Sequence, residues 1–471
     1  MLARSESELA FLSIEQADRL LRNRDVSPCD LVEVALTRIE RFNPTLNAFI
    51  TVIADHARAE ARRAERQLRQ DRTASPLCGI PISIKDNFST RGVRTTAGSS
   101  ILSHFIPDRD SEAVRKLRDA GAIVLGKTNM HEFAYGITNE NPHYGPTRNP
   151  WDLDRITGGS SGGSATALAM GIGYAATGTD TGGSIRIPAA LCGVVGLKPT
   201  FGLVSVEGVV PLAKTLDHAG PMARSVTDVC IILDAIAGDY PPGAIRPDYR
   251  KLRKNRPRKF RIGWPKQYFF ERIDGEVHDA IESAAKCFKS LGATVEQVSL
   301  SGLEHSVEPS TNIALAEATQ YHESQGYFPA QASKYGDDVR HRLELGRKVL
   351  AADYLHALDM KREITREFDA VFENIDVILA PTLPVAAPRI GEREVAIGGE
   401  KETVRSALVR LNRPANLTGH PAISIPCGFT RTGLPIGLQL IGPRWSEAQL
   451  LSIALAYEDA TEWHKRRPQL A

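Results

Sequence analysis

An α/β fold, with helices on both faces of one sheet, is predicted for this 471-residue chain. Three observations predict it. Short apolar runs of strand length alternate with longer segments of helical period along the whole chain. Glycine-rich turns punctuate those runs, most densely between residues 157 and 188. Hydrophobic residues make up 42% of the sequence, enough to bury a substantial core.

The elements follow in order. Ser13, with Gln16 three residues on, is a capping pair that opens a helix running to Asn23. Ser27-Pro28-Cys29-Asp30 opens a second, with Leu31, Val32, Ala35 and Ile39 at helical spacing. Residues 54–71 form a third, rich in Arg, Ala and Glu; its charges read as a solvated face with internal ion pairs rather than an RNA contact. Residues 81–84 form a short buried strand with Lys85 at its end. Residues 95–100 are a polar turn, and 111–121 a helix stopped by glycine. An apolar strand at 122–125 runs into the loop Gly126-Lys127-Thr128-Asn129-Met130. Past the central stretch, 191–198 and 204–211 alternate apolar runs with glycine turns. Residues 238–261 carry Pro241-Pro242-Gly243 and nine basic residues from 246 onward, the composition of a solvated connector. A βαβ-like insert follows, with strands at 260–264 and 293–298 around a helix at 277–291. Residues 313–366 are mostly helical. Strands return at 376–380, 422–426 and 434–442, and a helix at 447–461 closes the chain. Four segments result: an N-terminal helical segment (1–70), a core (71–240), a variable insert (241–400) and a C-terminal return to the sheet (401–471).

The central stretch holds two glycine-serine loops, Gly158-Gly159-Ser160-Ser161-Gly162-Gly163-Ser164 and Gly178-Thr179-Asp180-Thr181-Gly182-Gly183-Ser184-Ile185-Arg186. They bracket a run of small and apolar residues. Glycine lets main-chain amides approach a bound group closely, and successive amides can hold a developing oxyanion. A serine at the end of such a nest is placed for nucleophilic attack. A flexible linker is the bland alternative, but the flanking apolar segments and the embedded Asp180 and Arg186 argue against it. A phosphate-binding loop needs Lys and then Ser or Thr after its last glycine, whereas Gly163 is followed by Ser164-Ala165. Serine needs a base, and no histidine lies in this stretch. Lys85 is a candidate, because desolvation in a dry site disfavours the charged form and frees the amine to accept a proton; a surface lysine or a salt bridge to Asp86 remains the alternative. Lys127 is a rival base. The adjacent Asp217-His218 pair points apart on most backbones, and His131 and His143 lack metal-ligand spacing.

These residues resemble the amidase signature family: the Gly-Gly-Ser-Ser-Gly-Gly-Ser loop, the Gly-Thr-Asp-x-Gly-Gly-Ser-Ile-Arg loop and the upstream Lys-Asp-Asn segment match its pattern, and the likeness covers roughly residues 10–465. The resemblance implies a large mixed β-sheet flanked by helices. It implies that Ser184 is the nucleophile that becomes acylated, that Ser160 is a bridging serine beside a cis peptide bond, and that Lys85 is the base. It places the amides of Thr181, Gly182, Gly183 and Ser184 at the oxyanion hole, makes Asp180 and Arg186 partners that shape the loop, brings Met130 near the substrate pocket, and matches Arg342 to a substrate-carboxylate arginine.

The expected function is amidohydrolysis: cleavage of a carboxamide C–N bond through an acyl-serine, giving a carboxylate plus ammonia or an amine, with no cofactor and no metal. Two alternatives stay open, the glutaminase-type, amidase-like component of a tRNA-dependent amidotransferase and a carboxybiuret- or allophanate-type carbamoyl hydrolase. The stretch after Glu317 lacks the Asp-Gly-x-Arg pattern expected of the first, and Val409 stands where an acidic residue is expected seven before Asn416. A net charge of +2 gives no field for nucleic acid. Six widely spaced cysteines suit reduced thiols. With no apolar leader and no run of eighteen apolar residues, a cytoplasmic protein acting on a small amide is expected, with a homodimer as one assembly open to it.

Overall fold

The computed structural model describes residues 5–71, 73–254, 257–300 and 302–470. The first four residues of the N-terminal stretch and positions 255–256 of the basic connector lie outside these. Eleven strands join in one mixed sheet: β1 (Phe49–Val52), β2 (Pro81–Lys85), β3 (Ile123–Thr128), β4 (Ala175–Asp180), β5 (Val195–Lys198), β6 (His218–Ala223), β7 (Phe260–Pro265), β8 (Ala293–Val298), β9 (Val377–Pro381), β10 (Ala422–Phe429) and β11 (Pro435–Ile441). Their spatial order is β1-β3-β2-β4-β6-β5-β10-β11-β9-β7-β8. The neighbours β3, β2 and β4 run parallel, as do β9, β7 and β8, while the centre is antiparallel.

Both faces of the sheet are covered, so its central strands are apolar throughout rather than alternating. Strand β9 shows this directly. Val377 and Leu379 pack with Val229, Ile281 and Leu450 in one core cluster. The intervening Ile378 and Ala380 pack with Ile313, Ile364 and Phe368 in another. The βαβ-like segment is integral to the sheet, since β7 and β8 continue it beyond β9. Its helix, Gly275–Ser290, starts at an Asp274 cap.

The capping pairs act as the sequence indicates: Ser13 and Gln16 cap Ile14–Asn23 reciprocally, and Ser27 and Asp30 cap Pro28–Leu46. The arginine-rich helix Ala54–Gln70 is solvated on one side, with Arg69 paired to Glu65 and Arg58 to Glu33 across to the preceding helix. One boundary differs in a way that matters. Strand β3 runs through Gly126 and Lys127 to Thr128, three residues beyond the apolar run, because it pairs with β2 on one side and β1 on the other. Lys127 therefore lies inside the sheet and is fully buried.

Parallel pairing of β2 with β4 sets Ile82 beside Ala175 and Ser83 beside Ala176. Lys85 and Asp180, the last residues of these two strands, consequently emerge at the same edge of the sheet. Crevices outside the carboxyl ends of parallel strands are where α/β sheets bind ligands.

Candidate active site

At that edge three segments converge: the end of β2, the glycine-serine loop entering helix α1 (Gly162–Ala169), and the loop between β4 and helix α2 (Arg186–Cys192). Lys85 and Ser160 are fully buried and Ser184 is 5% exposed. The Lys85 ammonium donates to Ser160 Oγ and to Thr179 Oγ1, each at 2.7 Å. Among the described residues no carboxylate pairs with it. Burial, only partly offset by the negative charges of Asp180 and Asp217, pushes Lys85 down to about 7. The peptide bond between Gly159 and Ser160 is cis. The Ser184 carbonyl accepts from the Ser161 amide at 3.2 Å. No hydrogen bond holds the Ser184 hydroxyl among the described residues, and Ser184 lines a cavity of about 310 Å³.

The loop after β4 is shaped by Asp180. Its carboxylate accepts from the Gly183 amide at 2.8 Å and the Ile185 amide at 3.1 Å, and from the Arg186 guanidinium at 3.0 and 3.1 Å. Burial alone would raise this acid, but Arg186, Lys198 and Asn416 outweigh it and hold it below the usual carboxylate range. Gly183 has φ 120°, and a Cβ there would lie 2.7 Å from Asn412 Cβ and from Ile187 Cδ1. Of the amides expected to face an oxyanion, that of Gly183 is thus committed to Asp180. Those of Thr181, Gly182 and Ser184 have no acceptor among the described residues, and Thr181 and Gly182 line the cavity beside Ser184. The Thr181 hydroxyl donates to Asp217 at 2.5 Å, and Asp217 also accepts the Leu212 and Ala213 amides.

The other serines are bound into the scaffold. Ser164 donates to the Thr177 carbonyl at 2.9 Å and shares a 2.8 Å bond with Thr128, while Ser161 donates to the Thr179 carbonyl at 3.4 Å. The rival Lys127 neighbours Ile84 in register, not Lys85. It donates to the Phe88 carbonyl at 2.6 Å and to Thr95 at 2.7 Å, with Asp86 at 3.7 Å, and hydrogen-bonds no serine among the described residues. His218 is buried with Nδ1 against the Leu216 carbonyl at 2.7 Å and shares no hydrogen bond with Asp217 among the described residues. His131 and His143 pair with Asp338 and Glu132. Among the described residues no group of three or more His, Cys, Asp or Glu side chains is placed to hold a metal ion, and no helix is long and apolar enough to cross a membrane.

Met130 is fully buried, its carbonyl accepting from Asn141 at 2.7 Å, and it does not line the cavity. Arg342 does line it, but its guanidinium donates to Asp338 at 2.8 Å and to the Tyr135 carbonyl. Sequence reasoning missed Thr179, although Thr177 and Thr179 alternate on one face of β4 and reach the Lys85 amide and ammonium respectively. It also missed Arg405 and Arg413, which line the cavity. They lie on two separate helices, Val404–Arg410 and Arg413–Thr418, so no single helical period links them. A separate cavity of about 370 Å³, walled by Phe11, Arg224 and Arg467 among others, contains none of the groups at the sheet edge.

A family model described as Amidase matches residues 30–451. The chain is 40% identical to a glutamyl-tRNA(Gln) amidotransferase subunit from Moorella thermoacetica, over 98% of this chain and 99% of that one. Among solved structures, 6-aminohexanoate cyclic dimer hydrolase superposes with a TM-score of 0.88 at 30% identity, covering 98% of this chain and 99% of its own. A chain from a vestigial protein complex that bears on the origins of an s-triazine catabolic enzyme gives 0.89 at 34% identity, with coverage of 95% and 98%.

Proposed function

The chain belongs to the amidase family, an enzyme family acting on amide C–N bonds, and from that premise we propose that Lys85, Ser160 and Ser184 carry the reaction. The observation that supports this reading most is the dry contact between Lys85 and Ser160 at 2.7 Å, with the amine brought near neutrality by burial. A neutral Lys85 takes the Ser160 proton as Ser160 takes that of Ser184. The Ser184 oxygen attacks the amide carbon, and the carbonyl oxygen acquires negative charge. The amides of Thr181 and Gly182, which line the cavity and have no acceptor among the described residues, are the donors for that charge in this reading. When the tetrahedral species collapses the C–N bond breaks. The same relay returns its proton to the leaving nitrogen, so an acyl-Ser184 ester and a free amine result. Water then attacks the ester, the relay removes its proton, and a carboxylate leaves with Ser184 restored. Among the described residues Ser160 and Ser184 share no hydrogen bond, so this reading requires that contact to form when substrate is bound, as catalytic hydrogen bonds often tighten only then. Arg342, and more remotely Met130, shape the substrate's surroundings in this reading.

Ser184→Ala should lose acylation outright, as read by mass spectrometry of the intact protein after brief exposure to an amide panel. Turnover that survives Ser184→Ala at full rate would refute the assignment.

A second reading is favoured by the amidotransferase relatives, aligned along nearly the whole chain. In it the same chemistry delivers ammonia to a protein partner. Hydrolysis of simple amides by the isolated chain would favour the free-standing enzyme; glutamine turnover only on mixing with protein partners would favour the other.

A further inference from the structure

Asp217 is a buried carboxylate that the relay does not use. It is 8% exposed, does not line the cavity beside Ser184, and pairs with no lysine, arginine or histidine among the described residues. A buried carboxylate without a counter-charge is costly unless its neighbours satisfy it. Its partners are all neutral donors: the Thr181 hydroxyl at 2.5 Å, the Leu212 amide at 2.9 Å and the Ala213 amide at 3.1 Å. Amides can only donate, so the arrangement calls for the ionised, acceptor-only form of the acid. Burial nevertheless pushes Asp217 up to about 6, with the negative charge of Glu317 adding to the rise.

The sheet register brings Asp217 to Thr181. His218 pairs with Asp180 in the antiparallel ladder of β6 and β4, so the residues one step further out, Asp217 and Thr181, face each other beyond the strand ends. The turn before β6 is braced by two helices, Val307–Ser324 and Ala351–Val371. Thr215 donates its amide and hydroxyl to Glu317 at 2.9 and 2.7 Å, and its carbonyl accepts from Lys361 at 2.7 Å. Asp217 is thus a fixed point. Between Asp180 and Ser184 the chain reads Thr181-Gly182-Gly183. Two glycines offer no side chain to hold and leave their backbone free to turn. The Thr181 side chain is the one handle on that stretch, and Asp217 holds it.

We propose that Asp217 is a positioning residue for the reaction: by fixing the Thr181 hydroxyl it aims the Thr181 and Gly182 amides at the oxygen of the substrate carbonyl. The assignment rests on the amide-hydrolase reading above and deepens it. Oxyanion donors are effective when they are oriented before the charge develops. Anchoring Thr181 Oγ1 fixes the direction of its Cα–Cβ bond, and with it the two peptide planes that meet at Thr181. Asp217 acts through Thr181 and touches neither Ser184 nor substrate.

Thr181→Val tests this, since it keeps the shape of the side chain and deletes the hydroxyl. With a panel of acetamide, butyramide and benzamide, kcat for the best substrate should fall about 10- to 100-fold while KM stays within about twofold, the signature of an interaction made only in the transition state. Thr181→Ser keeps the hydroxyl and should recover most of the rate. Asp217→Asn should lower kcat to a similar degree, and adding Thr181→Val to it should take away no more than about twofold further, because two changes to one contact are not additive. The negative charge of Asp217 raises Lys85, so Asp217→Asn should also move the acidic limb of kcat/KM to lower pH, which a general loss of folded protein would not do. If Asp217→Asn fails to fold, the Thr181 pair carries the test alone. A Thr181→Val protein with kcat within about twofold of the native value, a loss expressed in KM alone, or equal losses in Thr181→Val and Thr181→Ser overturns the assignment; acylation of Ser184 in the native protein then leaves the hydrolase reading standing. If no amide acylates Ser184 in the native protein, the hydrolase reading falls and the positioning role falls with it.

Discussion

Lys85 is the residue on which the chemistry turns, and its environment makes quantitative demands. A lysine in water is protonated until about pH 10.4; here burial lowers it to about 7. The acidic limb of kcat/KM should therefore fall near pH 7, with activity rising as pH rises and the amine loses its proton. Lys85→Met should cost about 10²–10⁴-fold in rate, the range for general acid–base groups. Thr179 accepts from the ammonium at 2.7 Å, which favours the charged form. Thr179→Val should thus lower the lysine further and move the limb to lower pH by about one unit, a hydrogen bond to a charged group being worth about 1.5–3 kcal/mol. The same lysine couples to stability. Between about pH 7 and its free value of about 10.4 the unfolded chain holds a proton that the folded chain does not. Stability therefore rises with pH across that window. Lys127, lowered to about 8 by burial, adds to the rise over its upper part. Lys85→Met should flatten the curve of denaturant midpoint against pH, leaving the Lys127 contribution.

At the scale of elements, the loop between β4 and the helix Arg186–Cys192 does what neither element does alone. Strand β4 delivers Asp180 to the sheet edge, and Asp180 gathers the Gly183 and Ile185 amides around itself. That curl turns Thr181 and Gly182 toward the cavity and sets Ser184 beside them. Gly183→Ala would force a side chain into φ 120° and against Asn412 and Ile187. The expected loss is about 10²–10³-fold in kcat, comparable to removing one oxyanion donor, with a smaller effect on melting temperature because the strands are untouched. A variant of near-full activity would show that the loop tolerates a different curl. These motifs were legible in the sequence, where glycines and serines at fixed spacing announce close backbone approach. The partners of the loop were less so. Asn416 comes from a helix, and Asn412 from the turn before it, more than 200 residues downstream, and no local pattern signals that distance.

For the molecule as a whole, one buried ion pair ties the halves of the chain together. Arg186 reaches Asp180 locally, then Asn416 at 2.7 Å, the Asn412 carbonyl at 3.0 Å and Gln439 at 3.2 Å. Gln439 in turn donates to the Leu411 and Pro381 carbonyls. The loop carrying Ser184 is thereby anchored to β11 and to the end of β9. Arg186→Met would leave Asp180 charged and uncompensated in the interior, at a cost of about 3–5 kcal/mol. Urea unfolding should show a midpoint shift of that size together with lost activity, since the same carboxylate holds the loop. A loss below about 1 kcal/mol would mean that Asn416 and the loop amides alone satisfy Asp180.

The amino-acid order by itself determined the strand-and-helix alternation, the capped helix starts, the short strand that ends at Lys85, and the loops that carry Ser160 and Ser184. Each is a local matter of period, cap or glycine, readable within a few residues. Tertiary structure decided which lysine meets a serine. Lys85 and Lys127 both follow apolar runs, and only the parallel register of β2 against β3 and β4 sends one to Ser160 and Thr179 and the other to Asp86 and Thr95. It also decided the charge of the cavity. Arg342, Arg405 and Arg413 lie on three helices and become one cationic wall only when those helices pack around Ser184. Electrostatic environment depends on distances through space, and sequence separation does not encode them.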